Sequence, residues 1–196
     1  GLIYMETPAN PTMTCIDLSS IAQLAKKYEV LTAVDNTFCT PYIQQPFQHG
    51  IDYIIHSTTK FLNGHGHSIA GAIVGKDPDH MLQKIWPVMK LTGGSCNAFD
   101  AWLTYQGIKT LELRMERQVG NALALATFLE EHPKITFVNY PGLPKHPDRS
   151  IIQKQMKSGG AMLSFEVQGG LKGAENCINH LQLATLAPTL GDIDTL

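Results

Sequence analysis

Residues 30–60 read VLTAVDNTFCTPYIQQPFQHGIDYIIHSTTK. Two short apolar runs, Val30 to Val34 and Ile51 to Ile55, each end in a polar cluster: Asp35-Asn36-Thr37 after the first and His56-Ser57-Thr58-Thr59-Lys60 after the second. Runs of this length, bounded by turn residues, predict buried strands. Ahead of them Asp17 is a good N-cap, and Ile21, Leu24, Ala25 and Tyr28 recur at helical spacing, which predicts a helix leading into the strand at Val30. Leu2 to Met5 is a further apolar run, ends at Glu6-Thr7-Pro8 and reads as the first strand. Strand, helix, strand with short links is the pattern of a mostly parallel sheet flanked by helices, an α/β fold whose ligands bind beyond the carboxyl ends of the strands. All three polar clusters fall at those ends.

Downstream, the turn Asn63-Gly64-His65-Gly66-His67 leads to Ala70–Gly75, a strand whose connection is too short for a helical crossover and which is therefore expected antiparallel to its predecessor. Met81 to Met89 reads as helix, with Pro87 expected to end or kink it. Phe99 to Leu129 carries strong helix formers enough for two helices or one long bent helix, with Gly107 and Gly120 as the expected breaks. Residues 133–147 are rich in proline and histidine; Ile151–Met156 then reads as helix, Ala161–Val167 as strand and Ala174–Leu183 as helix. The expected boundary lies near 140, with residues 1–140 part of a larger domain and 141–196 the start of a smaller C-terminal α/β domain. The chain opens at Gly1 without an initiator methionine and stops in a patterned segment, and so reads as a piece of something longer.

A net charge of −2, from 15 basic and 17 acidic residues with no basic run, gives no electrostatic reason to expect nucleic acid or an anionic membrane as partner. A small molecule is the expected partner. Cysteines 15, 39, 96 and 177 form no CxxC pair, which fits a reducing cytoplasm, and no apolar run approaches the span of a bilayer.

Lys60, directly after Ser57-x-Thr59 at a strand end, can form an imine with an aldehyde, while the two hydroxyls and nearby amides receive a phosphate. Asp35, one strand away, can keep a pyridine nitrogen protonated, and Asn10 can hydrogen-bond a phenolic oxygen on the same ring. Taken singly, the lysine is a solvated charge, the aspartate a turn cap and the hydroxyls loop hydrogen bonders. Their joint placement at adjacent strand ends favours a cofactor site. His56, His65 and His67 lack the spacing and partners of a metal site, so no metal is expected. Cys39 lacks a Cys-His-Asn pattern, and the nucleotide fingerprints GxxxxGK[ST] and GxGxxG are absent.

These residues resemble the pyridoxal-phosphate enzymes of cysteine and methionine metabolism, the trans-sulfuration family. The similar segments are Glu6-Thr7-Pro8-Ala9-Asn10-Pro11, Val34-Asp35-Asn36-Thr37-Phe38, His56-Ser57-Thr58-Thr59-Lys60-Phe61 with Gly64-His65, Lys109-Thr110-Leu111 with Arg114-Met115, Tyr140-Pro141-Gly142-Leu143, and Leu190-Gly191. The resemblance implies an aspartate-aminotransferase-like fold of type I and covers about half of a family chain. It implies pyridoxal 5′-phosphate as cofactor, Lys60 as the lysine that holds it, Asp35 as the ring-nitrogen partner, Ser57 and Thr59 as phosphate ligands, Asn10 as a ring contact and Thr189 at the substrate carboxylate. It also implies a homo-oligomer, a dimer of dimers, with a front segment and a tail that complete the site. Gln106, His67 and Thr189 depart from the family pattern, which expects arginine, aspartate and serine there. Phe38-Cys39-Thr40-Pro41-Tyr42 and Leu190-Gly191-Asp192 resemble the methionine gamma-lyase members, which ranks γ-elimination on a sulfur amino acid first. Replacement on a homoserine ester and cystathionine cleavage rank behind it. A degenerate, non-catalytic binding subunit is the reading from another class, and retention of Lys60 with Asp35 speaks against it.

Overall fold

The computed structural model describes residues 1–195, and its main sheet has four strands in sequence order. Leu2–Glu6 (β1), Leu31–Asp35 (β2) and Tyr53–Ser57 (β3) are parallel, and Gly71–Gly75 (β4) pairs antiparallel with β3. The register sets Glu6 opposite Asp35 and Asp35 opposite Ile55, so the three polar clusters emerge side by side at one edge of the sheet.

Between β1 and β2 runs α1, Leu18–Lys27. Asp17 caps it, accepting from the Ser20 N–H at 3.0 Å, and the Lys154 ammonium meets the same carboxylate at 2.8 Å. Leu18 of this helix packs on Met5, Val34, Ile51 and Ile54, and so covers one face of the sheet. Side chains alternate along a strand. The opposite face therefore carries Tyr4 and Leu31, which remain exposed, with Ile73 of β4. Two short elements follow β2: α2, Thr40–Ile43, and a 3₁₀ turn at Pro46–His49.

Helix α3, Pro78–His80, runs through a widened π turn, Met81–Ile85, into α4, Trp86–Thr92. Pro87 lies in the first turn of α4, where its missing N–H is least costly, and the π turn absorbs the mismatch. Next come α5, Ala98–Ile108, and α6, Leu111–Glu130. The break falls at Lys109–Thr110, so neither expected glycine is the hinge. Gly120 lies within α6 with open space around it. Gly107 instead allows close packing: a Cβ there would sit 2.1 Å from the Asn63 carbonyl oxygen.

A strand at Ile135–Asn139 (β5) was not expected within the proline-rich stretch; Pro133 and Pro141 flank it without interrupting it. It pairs antiparallel with β6, Ser164–Val167, to form a second, two-stranded sheet. Between these strands lies α7, Arg149–Gln155, and after them α8, Gly170–Asn179, which begins and ends four residues earlier than the spacing implied. A buried apolar cluster joins the loops at the carboxyl ends of the main sheet to the helices behind them. It contains Met13, Phe38, Cys39, Phe61, Met115 and Ile152.

Two outcomes test this packing. Asp17→Ala removes both the cap and its tie to α7 and is expected to cost about 1 kcal/mol near neutral pH, read from urea unfolding. The Lys154 and Ser20 contacts lower the Asp17 carboxyl to about 2. Its contribution is thus present above the ordinary carboxylate range and fades as pH falls toward that value, so the two proteins converge in acid. Gly107→Ala gains up to about 1 kcal/mol of helix propensity but drives a methyl into the Asn63 carbonyl. The expected net result is a loss of about 1–3 kcal/mol in the same measurement.

Candidate active site

The site grows from the aligned strand ends. The Asp35 carboxylate accepts from the Thr37 N–H at 2.9 Å, and the Thr37 hydroxyl accepts from the Ser57 N–H at 2.8 Å, which ties the end of β2 to the end of β3. Glu6, opposite Asp35, has its carboxyl raised, first by burial and then by the Asp35 charge, with the Asn10 N–H pulling the other way. The Tyr4 phenol, two residues back on the same face, is raised by burial and by the charges of Asp35 and Glu6. Sequence reading put Glu6 at a strand end but gave neither group a role, because only the register brings them to Asp35.

After Ser57 the chain folds into a helical turn. Lys60 N–H donates to Ser57 O at 3.2 Å, Asn63 N–H to Thr58 O at 3.0 Å and Gly64 N–H to Lys60 O at 2.8 Å. This turn projects the Lys60 amine, which donates to the Thr189 hydroxyl at 3.1 Å. These two residues are 129 positions apart, so the pair exists only through the tertiary fold.

The remaining candidates separate. The Thr59 hydroxyl donates to Ala70 O at 3.2 Å and accepts from Ala70 N–H at 3.0 Å, so it is committed to the start of β4. Ser57 is half-buried, and among the described residues its hydroxyl has no protein hydrogen-bond partner. Asn10 is exposed in the loop after β1, its side chain likewise unengaged. Gln106 donates nothing to the site: its carbonyl accepts from Lys109 at 3.1 Å. His67 lies 3.1 Å from the Asn63 amide and stacks on His65, with ring centroids 5.4 Å apart, while His56 is buried on β3. Cys39 is fully buried, and burial holds its thiol well above the ordinary range, the wrong state for a nucleophile.

Two supports stand behind the site. Arg114 of α6 donates to Phe61 O at 2.7 Å, Gly107 O at 2.8 Å and the Thr110 hydroxyl at 3.0 Å, pinning the Lys60 turn to the α5–α6 junction. Next to Asp35, Asn36 and Gln44 are fully buried; Gln44 donates to Asn36 Oδ1 at 2.9 Å and accepts from Gln155 of α7 at 3.0 Å. Arg114 stood in one of the segments that carry the resemblance, but nothing in the sequence assigned its partners. No local signal marked Gln155.

Chemically, the set is an amine, a carboxylate and hydroxyls at and just beyond the carboxyl ends of parallel strands. That matches pyridoxal phosphate in type: an amine for its aldehyde, an anion for its pyridine nitrogen, and an unengaged Ser57 hydroxyl for its phosphate.

Comparison with known proteins agrees. The family described as Cys/Met metabolism PLP-dependent enzyme matches residues 1–196. The L-methionine gamma-lyase of Porphyromonas gingivalis is 47% identical over 196 residues, covering 100% of this chain and 49% of that protein. The cystathionine gamma-synthase of Mycobacterium leprae is 40% identical over 195 residues, covering 100% of this chain and 50% of the relative. The chain thus spans about half the length of the curated relatives it matches. Among solved structures, cystathionine gamma-lyase from Lactobacillus plantarum complexed with L-serine superposes with a TM-score of 0.95 at 40% identity, covering 98% of this chain and 50% of that one. With a lysine just beyond the end of β3, an aspartate at the end of the neighbouring β2, and a family match along its whole length, the chain belongs to the PLP-dependent enzymes of cysteine and methionine metabolism.

Proposed function

We propose that the protein is a PLP-dependent carbon–sulfur lyase that converts methionine or a related sulfur amino acid, with water, to 2-oxobutanoate, ammonia and a thiol. The observation that carries this reading is the Lys60 amine, held 3.1 Å from the Thr189 hydroxyl at the strand edge where Asp35 also ends. Pyridoxal phosphate, when bound, supplies an aldehyde for an amine and a ring that accepts the electron pair left on the α carbon. Lys60 would hold that aldehyde through its amine and, as a free amine, would carry protons between the α and β carbons of the substrate. Asp35, its orientation fixed by the Thr37 N–H, would keep the ring nitrogen protonated. Ser57 and Thr59 would hold the phosphate, the Thr59 hydroxyl being bonded to Ala70 O without the cofactor, and Asn10 would contact the ring. Thr189, beside the Lys60 amine, would contact the substrate carboxylate.

Curated relatives named cystathionine beta-lyase and cystathionine gamma-synthase, each 40% identical, favour a second reading in which the same residues cleave cystathionine or perform γ-replacement. We propose further that residues 1–140 are part of the large cofactor domain and 141–196 the start of the smaller one. Exposed Trp86, Phe99, Trp102 and Tyr105 support a homo-oligomer, since aromatic side chains are enriched at interfaces relative to the rest of a protein surface. Four free cysteines fit the cytoplasm. Among the described residues no helix is long and apolar enough to cross a membrane.

Incubating the full-length protein with methionine, with cystathionine, and with O-acetylhomoserine plus sulfide separates the readings. 2-Oxobutanoate from methionine supports elimination, and a new thiol amino acid from the ester supports replacement. Borohydride reduction followed by peptide mapping is expected to place the cofactor on Lys60 and on no other lysine; a label elsewhere overturns the assignment. Asp35→Asn is expected to retain cofactor and lower turnover at least about 100-fold, the scale of a lost charge-stabilising group. Unchanged turnover would leave Asp35 a structural residue.

A further inference from the structure

Helix α6 presents two polar side chains one turn apart, Arg114 and Gln118, and each grips a different loop. Arg114 holds the Lys60 turn through Phe61 O at 2.7 Å. Gln118 donates from Nε2 to the Asp192 carbonyl at 2.8 Å, in the segment that carries Thr189. The two loops also meet directly. Ile193 N–H donates to Gly64 O at 3.1 Å, and Gly191, at φ +81°, passes so close to the Lys60 turn that a Cβ would lie 2.7 Å from the Phe61 nitrogen. Their shared end point is the hydrogen bond from Lys60 Nζ to Thr189 Oγ1.

We propose that Gln118 is a positioning residue, whose side-chain amide fixes the 189–193 segment so that the Thr189 hydroxyl stays on the Lys60 amine. Helix α6 then sets the spacing of both partners, Arg114 for Lys60 and Gln118 for Thr189. The amide acts through its donor alone, because among the described residues Gln118 Oε1 is buried without a hydrogen-bond partner. The orientation follows from chemistry: Asp192 offers a carbonyl, which only the NH₂ end can satisfy. The importance of this pair for catalysis rests on the reading of Lys60 as the cofactor lysine; the geometry does not.

The test is made on the full-length protein freed of cofactor, by pulse acetylation and mass spectrometry of each lysine. The N–H donated to Thr189 holds the Lys60 amine in one direction, and the released amine turns more freely to meet the reagent, so its labelling rate rises as the pair is lost. Gln118→Met keeps the volume and removes the donor, and is expected to speed labelling of Lys60 about 5-fold, the ratio that one ordinary hydrogen bond is worth, with other lysines unchanged. Thr189→Val is expected to do the same, and the double variant to be no faster than either single one. Unchanged labelling at Lys60, or effects of the two substitutions that multiply, overturns the proposal. Gln118→Glu, isosteric and without the donor, takes the place of the methionine variant if that protein loses its native circular dichroism. Loss of fold in both would make Gln118 a determinant of folding and overturn the proposal as well. None of these readouts depends on which lysine borohydride traps, so failure here is distinct from failure of the functional reading.

Discussion

The parallel pairing of β2 with its two neighbours is the constraint on which the site depends. It sets Glu6 and Ile55 on either side of Asp35, and the hydrogen bonds from Thr37 N–H to Asp35 and from Ser57 N–H to Thr37 complete the alignment. A slip of one residue in either pairing would turn Asp35 or Ser57 to the opposite face, because side chains alternate along a strand. Burial of Met5, Val34 and Ile54 against α1 makes such a slip costly, since it would put these apolar groups in water. Chemistry on the polar face is thus specified by packing on the apolar one.

The loops beyond the strands carry backbone that the sheet does not satisfy, and buried amides supply the missing partners. Asn36 donates to Thr40 O at 3.2 Å and to Gln44 O at 3.0 Å, Gln44 donates to Thr7 O at 3.2 Å, and Gln155 donates to Ile16 O at 2.9 Å. Each of these side chains is at least nine-tenths buried, where an unpaired amide costs about 1–3 kcal/mol. Since the amides also bond to one another, loss of one strands its neighbours. A rigid base of this kind holds Asp35 without any contact to its carboxylate.

Lys60 is placed by a different device. Its turn is closed by local hydrogen bonds, clamped from behind by Arg114 and seated on Phe61, which is 2% exposed. Arginine suits the clamp because its fork donates in several directions at once, and here it reaches two carbonyls and a hydroxyl. The guanidinium is half-buried between these acceptors, and burial lowers its pKa while the Asp192 charge opposes that shift. Asp192 belongs to the segment that bears Thr189, so the cation stands near both loops that meet at the lysine.

By itself the sequence determined the strand–helix–strand order, the Asp17 cap, the antiparallel turn into β4 and the strand ends at which Asp35, Ser57, Thr59 and Lys60 lie. Each of these follows from local pattern: short apolar runs, helical spacing, and polar residues where a run stops. Sequence pattern misjudged Gly107 and Gly120, because a glycine that allows close packing looks the same in a chain as one that breaks a helix. It also missed β5, whose pairing with β6 spans residues 135–167. What only the tertiary structure decided is which polar groups face one another: Thr189 on Lys60, Glu6 beside Asp35, Gln155 on Gln44 and Gln118 on Asp192. Those contacts join residues up to 129 positions apart or across a strand pair, and no local periodicity encodes a partner at that distance. Sequence names the chemical groups available; the packing of α6, α7 and the sheet fixes the distances between them.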